Sequence, residues 1–125
     1  MIDPESLDEM GFDYYRAPDY KSPLSAYSEW VEGKMLTEGH DRLVENTLGL
    51  VGEAGEVAEK IKKKIRDNAK VSSEEIMKEL GDVLFYTTAL ANFYAGSLGL
   101  VMEFNVHKLD DREKRNKLQG NGDNR

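Results

Sequence analysis

Residues 41–67 read DRLVENTLGLVGEAGEVAEKIKKKIRD, and the spacing within them decides the fold. Val44, Thr47, Val51, Ala54, Ala58, Ile61 and Ile65 recur in steps of three and four, the period of one helix face. That spacing predicts a bundle helix from about Asp41 to Asp67. Gly49, Gly52 and Gly55 interrupt it at steps of three, and each costs ~1 kcal/mol against Ala in a helix interior. Close backbone approach is therefore expected along that side. After a break at Asp67-Asn68, Ser72 followed by Glu75 has the form of a capping box and opens a third helix reaching about Ala95. Gly96 and Gly99 punctuate the chain, and a fourth helix follows from about Leu98 to Lys117. Working back towards the N-terminus, Leu24 to about Met35 gives a short helix carrying Tyr27, Trp30 and Val31. The organisation expected is an irregular arm at 1–22, an all-α helical domain at 23–117 and a Gly-rich tail at 118–125, with no repeat and no strand pattern.

At 125 residues the chain suits one domain. Lys+Arg 17 against Asp+Glu 24 gives a net charge of -7, which repels a nucleic-acid backbone. Cysteine is absent, so thiolate nucleophiles, disulfides and zinc-thiolate sites are excluded. The opening residues include Asp3, Glu5, Asp8 and Glu9 where a secretory signal would be basic and then apolar, so a cytoplasmic protein is expected. Val83 to Met102 carries no charge, long enough to raise a membrane span, but Thr87, Thr88, Asn92, Gly96, Ser97 and Gly99 interrupt it. The better reading is a helix covered on most sides. A chain of this size can hardly cover a helix all round, which favours a bundle completed by another subunit.

Two pairs of acids stand at helical spacing, Glu53 with Glu56 and Glu79 with Asp82, separated by residues 57–78. At i and i+3 each pair projects from one face, and an antiparallel hairpin can set the pairs against each other. Converging carboxylates repel by ~1 to 4 kcal/mol per close pair and call for a hard cation, magnesium by default. A plainer reading exists for each pair. Glu56 with Lys60 and Glu59 with Lys63 are ordinary i to i+4 surface pairs. Glu79 and Asp82 share a face with Tyr86, Leu90 and Phe93, so they require a metal or a counter-charge, the alternative being a lysine from a neighbouring helix.

On the fourth helix Asn105, Lys108 and Arg112 lie at steps of three and four, a set that can hold phosphate oxygens and is also common as plain solvation. His40 and His107 do not follow a glutamate by three residues, so the di-iron bundle signature is missing, and both read as surface or capping residues. The sequence contains no Walker-type loop, nucleophile elbow or twelve-residue calcium loop.

The run Leu48-Gly49-Leu50-Val51-Gly52-Glu53-Ala54-Gly55-Glu56-Val57-Ala58, followed by Glu79-Leu80-Gly81-Asp82-Val83-Leu84-Phe85-Tyr86, resembles the MazG-like all-α nucleoside triphosphate pyrophosphohydrolases. The resemblance continues through Asn105-x-x-Lys108-Leu109-x-x-Arg112 into Leu118-x-Gly120-x-Gly122-Asp123-x-Arg125, and so covers about Leu43 to the C-terminus. E-x-x-E alone carries no weight; the ordered set of four segments does. What the resemblance implies is a four-helix bundle assembled as a homodimer or homotetramer. Glu53, Glu56, Glu79 and Asp82 would hold magnesium, with manganese as a substitute, and Glu53 or Glu56 would serve as general base. Asn105, Lys108, Arg112 and Lys63 would hold the triphosphate, and Tyr86 and Trp30 would stack on the base. The implied reaction converts a (deoxy)nucleoside triphosphate to the monophosphate and pyrophosphate. Two rivals keep the same scaffold: a non-enzymatic oligomeric regulator or adaptor, and a hydrolase of another pyrophosphate-linked nucleotide.

Overall fold

A computed structural model of the chain describes residues 22–120 and residue 122. The arm expected at the N-terminus, residues 1–21, lies outside the described residues, as do Asp123 and Arg125 of the tail. The described chain folds into four helices: α1 Pro23–Glu32, α2 Gly39–Arg66, α3 Ser73–Phe93 and α4 Leu98–Lys114. There is no strand among the described residues.

Local chemistry sets the helix ends. The Ser22 hydroxyl accepts from the Ser25 amide at 3.2 Å with Pro23 at the first helical position, so α1 starts there. The Gly33 amide bonds to the Glu29 carbonyl and closes the helix three residues earlier than its apolar pattern suggested. Asn68, at φ 51, takes the left-handed turn that ends α2. Both arms of the capping box at Ser72 are made: the Glu75 amide donates to the Ser72 hydroxyl at 3.2 Å, and the Ser72 amide donates to Glu75 Oε2 at 2.8 Å. At the other end of the chain Asn116 is left-handed at φ 57, and the Lys117 amide reaches back to the Arg112 carbonyl at 2.6 Å. This turn stops α4 at Lys114 instead of Lys117.

The α2–α3 hairpin is antiparallel, as its contacts show: Gly49 lies against Tyr86, Glu53 against Glu79 and Asp82, and Lys60 against Glu79. Gly49 is required where it stands, because a Cβ there would overlap the Tyr86 ring. Among the described residues Gly52, Gly55 and Gly81 face nothing within 4 Å, so the close approach expected at three glycines occurs there only at Gly49. Helix α1 packs on α3, and α4 packs on both. Val31, Thr88 and Ala89 are fully covered and Leu98 nearly so; the Thr88 hydroxyl is satisfied by the Leu84 carbonyl at 2.8 Å.

The face of α2 that turns inward is not the one its apolar spacing marked. It carries Asn46, Gly49, Leu50, Glu53, Val57 and Lys60, all buried or half-buried. Val44, Thr47, Val51, Ala54, Ala58, Ile61 and Ile65 lie outside, with Val51 67% and Ile65 79% exposed. The outer side of α3 is similar, since Met77, Leu80 and Leu84 are exposed, and so are Val101, Met102, Phe104 and Val106 on α4. An open apolar groove of about 390 Å³ runs between α3 and α4, lined by Leu90, Ala91, Leu100, Val101 and Phe104 among others. No helix among the described residues is long and apolar enough to cross a membrane.

Candidate active site

The hairpin register decides where the acids meet. With α2 and α3 antiparallel, residues one turn apart on α2 face residues one turn apart on α3 in reverse order. One carboxylate oxygen from each of Glu53, Glu79 and Asp82 lies within 4.8 Å of the others. Opposite ligands of an octahedral magnesium are separated by roughly 4 Å, twice a ~2.1 Å bond, so these three groups are within side-chain adjustment of one hard cation. Glu53 and Glu79 are half-buried and Asp82 is exposed. Glu56 is exposed and stands outside the group of three, yet its charge reaches Glu53. The Glu53 carboxyl is held above the ordinary carboxylate range by desolvation first, then by the charges of Asp82, Glu79 and Glu56.

The lysine considered as a counter-charge is also present. Lys60 Nζ lies 3.6 Å from Glu79 Oε1, both side chains being largely covered. Lys60 thus reaches across the hairpin instead of pairing along α2 with Glu56, while Glu59 takes Lys62 at 2.8 Å instead of Lys63. Among the described residues one ammonium, that of Lys60, stands against three carboxylates, and excess negative charge of this kind is what a divalent cation relieves.

An aromatic wall from α1 borders the acids. Tyr27 has its phenol pushed up by burial and then by the charge of Asp82. Tyr27 stacks on Trp30 with ring centres 5.7 Å apart, and Trp30 meets Phe85 of α3 edge-on at 5.9 Å. Lys34 Nζ stands 5.6 Å from the Trp30 ring centre. Trp30 remains 51% exposed.

The remaining sequence-derived residues are scattered in the single chain. The Tyr86 ring packs against the α2 backbone at Gly49, a structural contact. Lys63 is near the end of α2, where its charge acts on Glu59 and Asp67. Asn105 and Lys108 are on the exposed stretch of α4 beyond its packed start. Arg112 is buried, its Nη2 donating to the Gly122 carbonyl at 3.2 Å. Sequence reasoning missed Tyr27, although it is three residues before Trp30 on the same face. It also read Lys60 as a surface partner, and only the hairpin register shows that it crosses.

Residues 42–116 match the MazG nucleotide pyrophosphohydrolase domain. The chain is also similar to the Gene 37 protein of Mycobacterium phage L5, at 47% identity over 83 residues, covering 63% of this chain and 73% of that protein. No solved structure matches the chain.

Proposed function

Because the chain belongs to the MazG nucleotide pyrophosphohydrolase family, we propose that it hydrolyses a (deoxy)nucleoside triphosphate to the monophosphate and pyrophosphate with magnesium. The observation that carries this reading is the convergence of Glu53, Glu79 and Asp82 from two helices. These three would hold the cation, with Glu56 at its margin; manganese has the same taste for oxygen ligands and is expected to substitute. Bound there, a divalent cation would neutralise phosphate charge and acidify a water. Glu56 is outside the three-carboxylate group and exposed, which leaves it able to accept the water's proton; Glu53 is the alternative base. Tyr27 and Trp30 offer the aromatic surface for the base, and Lys60 offers a cation beside the phosphates.

The same reading extends to assembly. The outward apolar faces of α2 and α3 and the groove beside α4 are suited to cover by a second copy, in a homodimer or homotetramer. Each large apolar side chain so covered contributes ~1.5–3 kcal/mol. Asn105, Lys108, Arg112 and Lys63 would then serve the triphosphate across or beside that interface, with Tyr86 behind the base.

The test is a panel of normal and modified nucleoside triphosphates with magnesium, scored for pyrophosphate and for orthophosphate. Pyrophosphate as first product, abolished by chelator, is the expected result. Orthophosphate first, or activity undiminished in excess chelator, would overturn the reading. The Lys60–Glu79 contact is the observation behind the rival non-catalytic scaffold, and a panel with no turnover at all would favour it.

A further inference from the structure

α1 is a ten-residue helix, too short to hold itself together in water, so its placement depends on what fastens it. Its last residue, Glu32, receives both ends of the Arg42 guanidinium, at 2.7 Å and 2.6 Å. The same carboxylate takes the Asn92 amide at 3.2 Å, and that amide also donates to the Ser28 carbonyl at 3.0 Å. Arg42 is the better covered partner, its side chain 14% exposed. A bidentate pair constrains direction as well as distance. Asn92 grips two points one helical turn apart, which fixes both the axial position and the rotation of α1. The depressed carboxyl of Glu32, caused first by its bond to Arg42, agrees with a persistent pair.

The anchors come from the two helices that carry the acids. Arg42 belongs to α2, three turns before Glu53; Asn92 belongs to α3, nearly three turns after Asp82. The aromatic wall of Tyr27 and Trp30 is thereby positioned from the same two rods as the carboxylates.

We infer that Glu32, Arg42 and Asn92 form a positioning clamp that sets the distance between the aromatic wall and the acidic cluster, and so governs which base is accepted without touching the reacting atoms. This rests on the reading of the acids as the phosphate end of the site. Trp30 is the only tryptophan, so its fluorescence reports the placement of α1 whether or not the enzyme turns over.

The experiment compares the full-length chain with Arg42→Lys, Glu32→Gln and the charge-swapped double variant Glu32→Arg with Arg42→Glu, all checked for helicity by circular dichroism. Expected for the single variants are a red-shifted, more readily quenched Trp30 emission and a KM raised about five- to tenfold. Their kcat should stay within about twofold of the parent, since no contact to the reacting atoms is lost. The ratio of kcat/KM between the best and worst bases should shrink, and the swapped pair should recover part of each effect. Should the single variants fail to fold, Asn92→Ala, which leaves the ion pair in place, carries the same readouts. Folded variants with unchanged emission, KM and base ratio, or with the whole loss in kcat, overturn the clamp. A parent that releases no pyrophosphate from any triphosphate rejects the proposed activity instead, and the Trp30 emission of Arg42→Lys still decides whether the clamp positions α1.

Discussion

The two faces of α2 differ in a way that inverts the usual arrangement of a helix in a small protein. Its inward face mixes Leu50 and Val57 with Asn46, Gly49, Glu53 and Lys60; its outward face presents Val44, Val51, Ile61 and Ile65. A helix contributing only to its own chain's core would do the opposite. The inner face gives part of its covered area to polar groups, among them Glu53, which meets Glu79 and Asp82 of α3. The outer face, like the outward sides of α3 and α4, leaves large apolar side chains exposed, and the proposed assembly would cover them. On the proposed reading chemistry and cohesion fall on opposite sides of one helix, so substitutions on the two sides should act separately.

The largest effect is expected on the inner face. Asp82→Asn should lower pyrophosphate release by about 10²–10³-fold, the scale of removing one group that stabilises transition-state charge. Measured in chelator, the same variant should keep or raise its thermal midpoint, because it relieves the repulsion felt by Glu53. A midpoint several degrees lower would mean that Asp82 is structural. On the outward apolar side of α3, Leu84→Glu should yield monomers or aggregates by light scattering, with turnover lost along with assembly. An active, monodisperse monomer would break the division of labour.

Glycine substitutions sharpen the contrast at smaller scale. Gly49→Ala forces a Cβ into the Tyr86 ring and should cost ~1–3 kcal/mol in chemical denaturation. Gly52→Ala meets open space and should gain up to ~1 kcal/mol from helix propensity. A loss at Gly52 would place a partner's backbone there. The smallest effect concerns pH. Glu32 has its folded pKa below its ordinary value of 4.5, so its stabilisation is full above that value and is lost as pH falls through the depressed one. Glu32→Gln should flatten that part of a midpoint-against-pH curve, and an identical acid limb in both proteins would show that the pair contributes nothing there.

Much of this architecture is legible in the sequence because it is local. Ser72 and Glu75 announce the start of α3, Asn68 falls at the break, and i, i+3 spacing places each acidic pair on one face before any tertiary contact is known. What was not legible depends on partners far apart along the chain. Nothing in residues 23–32 shows that Glu32 will meet Arg42 and Asn92, nor does anything around Tyr27 show that it will feel Asp82. The outward turn of the apolar stripe on α2 was hidden for another reason: periodicity identifies an apolar face but does not say whether the chain turns it inward. The expected ends of α1 and α4 were too distal because capping bonds at Gly33 and Asn116 override an apolar pattern that continues past them.

The carboxylates that converge all fall between residues 53 and 82, within a single helical hairpin with a short connection. Local hairpins form early when a chain folds, because little loop entropy is lost in closing them. The centre of negative charge is therefore expected to form early in folding, where its repulsion would slow the rate-limiting step as well as weaken the finished protein. A divalent cation present during refolding should then speed folding as well as slow unfolding, and a chevron measured with and without magnesium should shift on its folding limb.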